Sequence, residues 1–314
     1  MQAVLGAVLL LAAGAGASSP PRLLRGAYPD FEAPIYRAPT EAWSICDVTA
    51  APWNATGDGH TDDTAALQGC IAMCPRGTDG SFAVVLMAGK QFLTGALNLT
   101  SGCHLIVDGV LLGSTNPASY PVIPPLAGYG PGQRDKAEHG WGRHQALISG
   151  WNMHDVVVAG SGVIDGQGLV LDPQLGSSWV TRFKGQTLNF GRPRIWEPMF
   201  SRRVSLVNVS VTNQAFWAVH PYACDDVYIG HVNISAPRDE GIPNDDGIDP
   251  DSTGNLLVED CWVSVGDNSV AIKSGMNWYG RQLGRASYNQ VYRDSTFTCE
   301  TFAIGSEMSG GVFK

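Results

Sequence analysis

Val204-Ser205-Leu206-Val207-Asn208-Val209-Ser210-Val211 and Val227-Tyr228-Ile229-Gly230-His231-Val232-Asn233-Ile234 decide the fold. In both, apolar residues fall at relative positions 0, 2, 5 and 7, so each holds two short runs of strand-like alternation. Leu256, Val258, Cys261 and Val263 repeat the pattern; Val156, Val158 and Val163 repeat it with Ser161 in the third place; Tyr292 and Phe297 with Ser295 form a degraded copy. The copies starting at 204, 227 and 256 lie 23 and 29 residues apart, and the loop 236–243 accounts for the longer interval. A period in the low twenties signals stacked supersecondary units. The Leu-rich consensus of a leucine-rich repeat is absent, and the β runs alternate with Gly, Asn and Asp. The pattern predicts an all-β fold, a single-stranded right-handed parallel β-helix. Its coils stack about 4.7–4.9 Å apart, so residues one period apart become neighbours on one face.

Around this core the chain divides into three parts. Residues 1–17 carry no charge, contain the apolar run Val4–Ala13 and close with Ala15-Gly16-Ala17, a secretory signal cleaved near Ala17. About 15 apolar residues fall short of the ~20 a spanning helix needs. Residues 18–45 form a Pro-rich leader, and 46–314 the solenoid. The expected location is therefore extracellular, at the cell wall, with sequons at Asn54, Asn98, Asn208 and Asn233 open to glycosylation. Seven cysteines in an oxidising compartment permit disulfides but leave at least one thiol over; their pairing stays open, and Cys261 reads as a buried hydrophobe. Residues 65–73 read as a short helix with Asp62 and Asp63 in its first turn, β signal begins at Val84, and Asn116–Arg143 reads as a long excursion. A net charge of −9 argues against nucleic-acid or anionic-membrane partners, and the chain is expected to be a monomer.

The densest acidic cluster is Asn244-Asp245-Asp246-Gly247-Ile248-Asp249-Pro250-Asp251, and Gly266-Asp267-Asn268 follows one coil later. Asp246 and Asp267 are 21 residues apart, so a β-helix of this period turns both carboxylates to one groove. A protonated carboxyl donating to a leaving oxygen, beside an ionised one activating water, is the apparatus of glycoside hydrolysis. The competing reading is that these residues cap coil corners. An EF-hand reading of Asp249–Asp260 fails because the flanks are strand-like and the twelfth position lacks its Glu, so no metal or cofactor is expected.

These motifs resemble the polygalacturonase family, in its plant-type branch, whose fold is the pectin-lyase-like solenoid. The matching stretches run in the family's order: Gly57–Thr64, Gly162–Gly168, Phe216–Pro221, Asn244–Ser252, Gly266–Asn268, Val270–Gly275 and Ile304–Gly311. The resemblance implies an inverting hydrolase acting on α-1,4 bonds of polygalacturonate. It implies Asp267 as general acid and Asp246 as water-activating base, with Asn244, Asn268 and Lys273 meeting substrate. Lys273 is the leading cation among Arg202, Arg203, Arg281 and Arg285. Three departures stand out. Asn268 occupies the place of a second water-activating Asp, and an amide cannot accept a proton. Glu300 stands where typical members have a His. The family's Arg-x-Lys clamp is absent from the sequence, which reads as C-terminally truncated. A catalytically impaired pectin-binding relative and a calcium-dependent polyuronide lyase are the rival functions.

Overall fold

The computed structural model describes residues 43–74, 82–86, 88–130, 142–298, 301–305 and 307. The signal and leader up to residue 42, Trp141, Cys299 and Glu300 lie outside the described residues.

Three parallel sheets wind along one axis. The first contains eight strands, from Ser44–Asp47 through Arg202–Val207, Asp225–Gly230 and Gly254–Glu259 to Tyr288–Arg293. The second contains eight more, from Asp58–Asp62 to Thr296–Phe297. The third joins Leu97–Asn98, Ile148–Trp151 and Trp196–Met199, and single bridges at Val219, Ile248 and Val270 carry it to Phe302–Ile304. Each coil visits the three sheets in turn, which is the right-handed parallel β-helix.

The repeat explains the core. Val204, Val227 and Leu256 pair in register, as do Val211, Ile234, Val263 and Phe297, and their side chains form apolar ladders inside the solenoid. One copy slips: Ile164, not Val163, aligns with Val211 and points inward. That turn, 160–162, carries an extra residue between two glycines.

The corners follow from residues that tolerate left-handed backbone. Asp155, Arg203, Asp226, Asn255 and Asn289 occupy one column with φ between 47° and 57°. Asn289 donates to Asn255 and Asn255 to Asp226, a side-chain ladder that compensates the strained backbone.

Two features at the start differ from expectation. Strands Ser44–Asp47 and Asp58–Asp62 precede the predicted onset of β structure, too short and polar to show periodicity. Helix α1 spans Thr64–Ala72, and Asp62 and Asp63 lie before its first turn. The Asp63 carboxylate instead accepts the backbone N–H groups of Thr56 and Gly57. Disulfides Cys46–Cys70 and Cys74–Cys103 bind α1 to the first sheet, while Cys224 and Cys261 are free and buried. Among the described residues no helix is long and apolar enough to cross a membrane.

Candidate active site

Long loops gather at the corner between the second and third sheets. One excursion is described at residues 116–130 and 142–143, and a second, residues 166–195, contains helix α2 (Trp179–Lys184). Two coils further on, the chain passes through Asn244–Gly247 into the third sheet, and one coil later through residues 265–269. Ile248 bridges Val270, and the Gly247 N–H donates to the Asn268 carbonyl, so Asp246 and Asn268 are lateral neighbours.

The two predicted catalytic carboxylates meet around one nitrogen. Asn268 Nδ2 donates to Asp246 Oδ2 at 2.9 Å and to Asp267 Oδ1 at 2.8 Å. The Asn268 backbone N–H also reaches Asp267 Oδ1, at 3.0 Å. Asp246 is buried and Asp267 half-buried. Burial raises the Asp246 carboxyl to about 6; the Asp267 charge adds to this, while the Lys273 ammonium and the Asn268 hydrogen bond oppose it. A buried carboxylate near neutrality beside a more exposed one is the environment in which two acids take separate roles.

The remaining predicted residues are placed differently. Asp245 turns away from Asp246, accepting the Gly266 N–H at 2.7 Å. Asn244, with φ of 57°, accepts Arg192 Nη2 at 2.9 Å, and Arg192 also binds the Ala215 and Pro243 carbonyls. Lys273 lies beneath the groove, only 2% exposed. Its Nζ is 2.7 Å from Glu307 Oε2, 3.1 Å from Asp249 Oδ1 and 4.3 Å from the Trp217 ring centre. Burial disfavours its charge, but Asp249, Glu307 and Asp246 outweigh that and hold it protonated. An ammonium so enclosed has little left to offer a sugar, so its influence reaches the groove through Asp246. Arg202, Arg203 and Arg285 belong to the first sheet's side, where Arg203 pairs with Asp155 and Arg285 with Asp225.

Sequence reading missed a buried polar network on the outward face of the third sheet. Glu197 receives Arg143 Nη1 at 2.5 Å, Arg194 Nε at 3.2 Å and His220 Nδ1 at 2.9 Å. His220 Nε2 faces Asp251 Oδ2 at 3.6 Å, and the Tyr129 hydroxyl bonds that same carboxylate. Adding the intervals of 23 and 29 residues in either direction from His220 reaches Glu197 and Asp249, a signal that was available. Glu307 lies 34 residues beyond Lys273 because helix α3 (Asn277–Leu283) enlarges that coil. Among the described residues no group of three His, Cys, Asp or Glu is arranged to hold a metal ion.

A parallel β-helix with paired carboxylates at one coil corner is the class of a solenoid carbohydrate-active protein. The sequence model of glycosyl hydrolases family 28 matches residues 80–283, and the chain belongs to that family. It is 37% identical over 269 residues to a probable polygalacturonase of Vitis vinifera, covering 83% of this chain and 51% of that protein. It is 30% identical to an endo-polygalacturonase of Pectobacterium carotovorum subsp. carotovorum, covering 79% and 59%. The chain thus spans about half the length of the curated relatives it matches. Among solved structures, an exopolygalacturonase from Thermotoga maritima superimposes with a TM-score of 0.64 at 24% identity, covering 89% of this chain and 65% of that one. A polygalacturonase from Erwinia carotovora ssp. carotovora gives 0.61 at 23%, covering 84% and 72%. These likenesses establish the shared fold.

Proposed function

We propose that this protein is a secreted hydrolase of α-1,4-galacturonosyl bonds in pectin-type polysaccharides, with Asp267 as general acid and Asp246 as the sole base. The observation that carries this reading is the meeting of Asp246 and Asp267 on the Asn268 amide, at the groove corner of a family 28 fold. Asp267 donates its proton to the leaving glycosidic oxygen. Ionised Asp246 draws a proton from water, which attacks the anomeric carbon. Asn268 cannot take that proton; it orients Asp246. Asn244 holds the entry of the strand through Arg192. Lys273 opposes the burial that raises Asp246 and so lowers the pH at which this base ionises. The four sequon asparagines are all exposed, which supports a glycosylated, extracellular protein.

One feature favours a second reading, a pectin-binding relative with little turnover: the group that meets both carboxylates is an amide, which donates to them and cannot itself accept the proton of an attacking water. Reducing-end release from polygalacturonate separates the two. Activity in the parent that vanishes in Asp267→Asn supports hydrolysis. A folded parent that binds oligogalacturonides without cutting them overturns it.

A further inference from the structure

On the outer face of the second sheet, Ser210, Asn233, Trp262 and Thr296 line up on successive coils. Ile234 and Val263, the next residues along their strands, are inward core, so alternation turns Asn233 and Trp262 outward together. The two side chains stand side by side, one strand spacing or about 4.8 Å apart. Trp262 is 42% exposed, and among the described residues its ring meets no aromatic ring or cation. Asn233 is exposed, and its side-chain amide makes no hydrogen bond among the described residues.

Asn233-Ile234-Ser235 is one of the four sequons, and its surroundings differ from those of the others. Asn98 is paired with buried Ser149. Asn54 and Asn208 occupy left-handed turns, with φ of 51° and 59°, and Asn54 Nδ2 already donates to the Pro52 carbonyl at 3.2 Å. Only Asn233 has an exposed tryptophan as its register partner. An N-linked N-acetylglucosamine presents a face of C–H groups, to which the face of an indole is well matched. A strand already fixes that indole's backbone beside the amide, so seating a sugar on it orders little of the protein.

We infer that Asn233 is glycosylated and that the innermost sugar of its glycan packs on the Trp262 ring, joining two adjacent coils on the outside of the solenoid. The amide nitrogen loses a proton and bonds to the anomeric carbon of a lipid-pyrophosphate-linked oligosaccharide in the secretory pathway. The bond from that carbon to the phosphate oxygen breaks, and the lipid pyrophosphate leaves. This rests on the secretion proposed above and is independent of the chemistry at Asp246 and Asp267.

The test is expression of the full chain in a glycosylating secretory host as parent, Asn233→Gln, Trp262→Ala and the double variant. Glycopeptide mass spectrometry reads the occupancy of each sequon, and circular dichroism follows thermal unfolding. The expected result is an occupied Asn233, a midpoint about 2–4 °C lower in Asn233→Gln than in the parent, and no such gap between Trp262→Ala and the double variant. Trimming the parent with an endoglycosidase that leaves the innermost sugar should keep its midpoint. An unoccupied Asn233, a gap of the same size in the Trp262→Ala background, or a midpoint that falls on trimming overturns the glycan seat. So does an equal gap between parent and Asn233→Gln made without glycans in a bacterial host. A chain retained inside the secretory host overturns the secretion reading as well. Reducing-end release from polygalacturonate judges the hydrolysis separately, because none of these changes touches Asp246, Asp267 or Asn268.

Discussion

Replacing Asn268 by Asp changes one atom in the centre of the proposed site and should alter the chemistry more than any other conservative substitution. In the parent, Nδ2 sits 2.9 Å from Asp246 and 2.8 Å from Asp267 as a neutral donor to both. An anionic oxygen there would repel each carboxylate by about 6 kcal/mol at an effective dielectric of 20. That equals about four pKa units per pair, and half-exposed Asp267 would feel less because solvent screens it. Three carboxylates this close cannot all ionise near neutrality, so the variant must retain at least one shared proton. A proton becomes available to the leaving oxygen, and a second carboxylate becomes available to the water. The expected outcome in a reducing-end assay on polygalacturonate is a gain of about 10²–10⁴ in turnover for Asn268→Asp, the value of a positioned acid or base. The pH range of activity should extend upward. A folded Asn268→Asp that cuts no faster than the parent would refute the argument that the amide is the limiting group.

Three further outcomes are expected. Removing the ammonium in Lys273→Met should move the acidic limb of kcat/KM, set by Asp246 near 6, to higher pH, because Lys273 opposes the upward shift; Lys273→Arg should restore part of it. Glu197→Gln should cost about 3–5 kcal/mol in urea unfolding, because Arg143 and Arg194 stay buried beside a neutral partner. Burial opposes the ionisation of Glu197, but Arg143, Arg194 and His220 hold its carboxyl far below the usual range. Its contribution is therefore full above the unfolded value of about 4.3 and is lost as pH falls; the parent should weaken in acid more steeply than the variant. Finally, proton NMR of the first product should show the β-anomer, the mark of inversion. The α-anomer would make Asp246 a nucleophile instead, an outcome the close approach of the two carboxylates makes worth measuring.

The fold was legible because the inward positions of adjacent coils must be apolar at every turn. The 0, 2, 5, 7 pattern records that requirement, and it located the buried ladders through Val204, Val227 and Leu256. It failed by one residue at Val163, where the corner 160–162 holds one residue more than its counterparts in later coils. That Asp246 and Asp267 come together was legible from the coil period, while the roles proposed for them came from the resemblance; the seat of Lys273 was not legible. A lysine in a motif reads as a surface cation, and its burial depends on Glu307 arriving 34 residues later. The strands of 44–47 and 58–62 carry too few apolar residues to register, and pairing with later coils defines them.

The division between the two faces of the third sheet separates chemistry from stability. Inward, Val219, Ile248 and Val270 join the apolar core; outward, His220 and Asp249 stand in the buried polar layer from the same strands. Asn268, Asp267 and the outer edge of Asp246 lie beyond both, at a corner whose backbone is fixed by bonds from Gly247, Ile248 and Ser269 to neighbouring coils. An exchange at Asn268 therefore removes no core contact and no backbone bond; the stability that Asn268→Asp loses is the repulsion among the three carboxylates, felt above the unfolded carboxyl range of about 4 and absent below it. Lys273 and Glu197 belong to the polar layer, and their loss should move rate and stability together. Gly247 marks the boundary: a Cβ there would lie 2.6 Å from the Ser269 carbonyl and 2.5 Å from Val263, so Gly247→Ala would have to push the Asp246 coil away from the coil of Asn268. Such a displacement would part Asp246 from the Asn268 amide, and the loss of rate would come from lost alignment while all three side chains of the site remain in the chain.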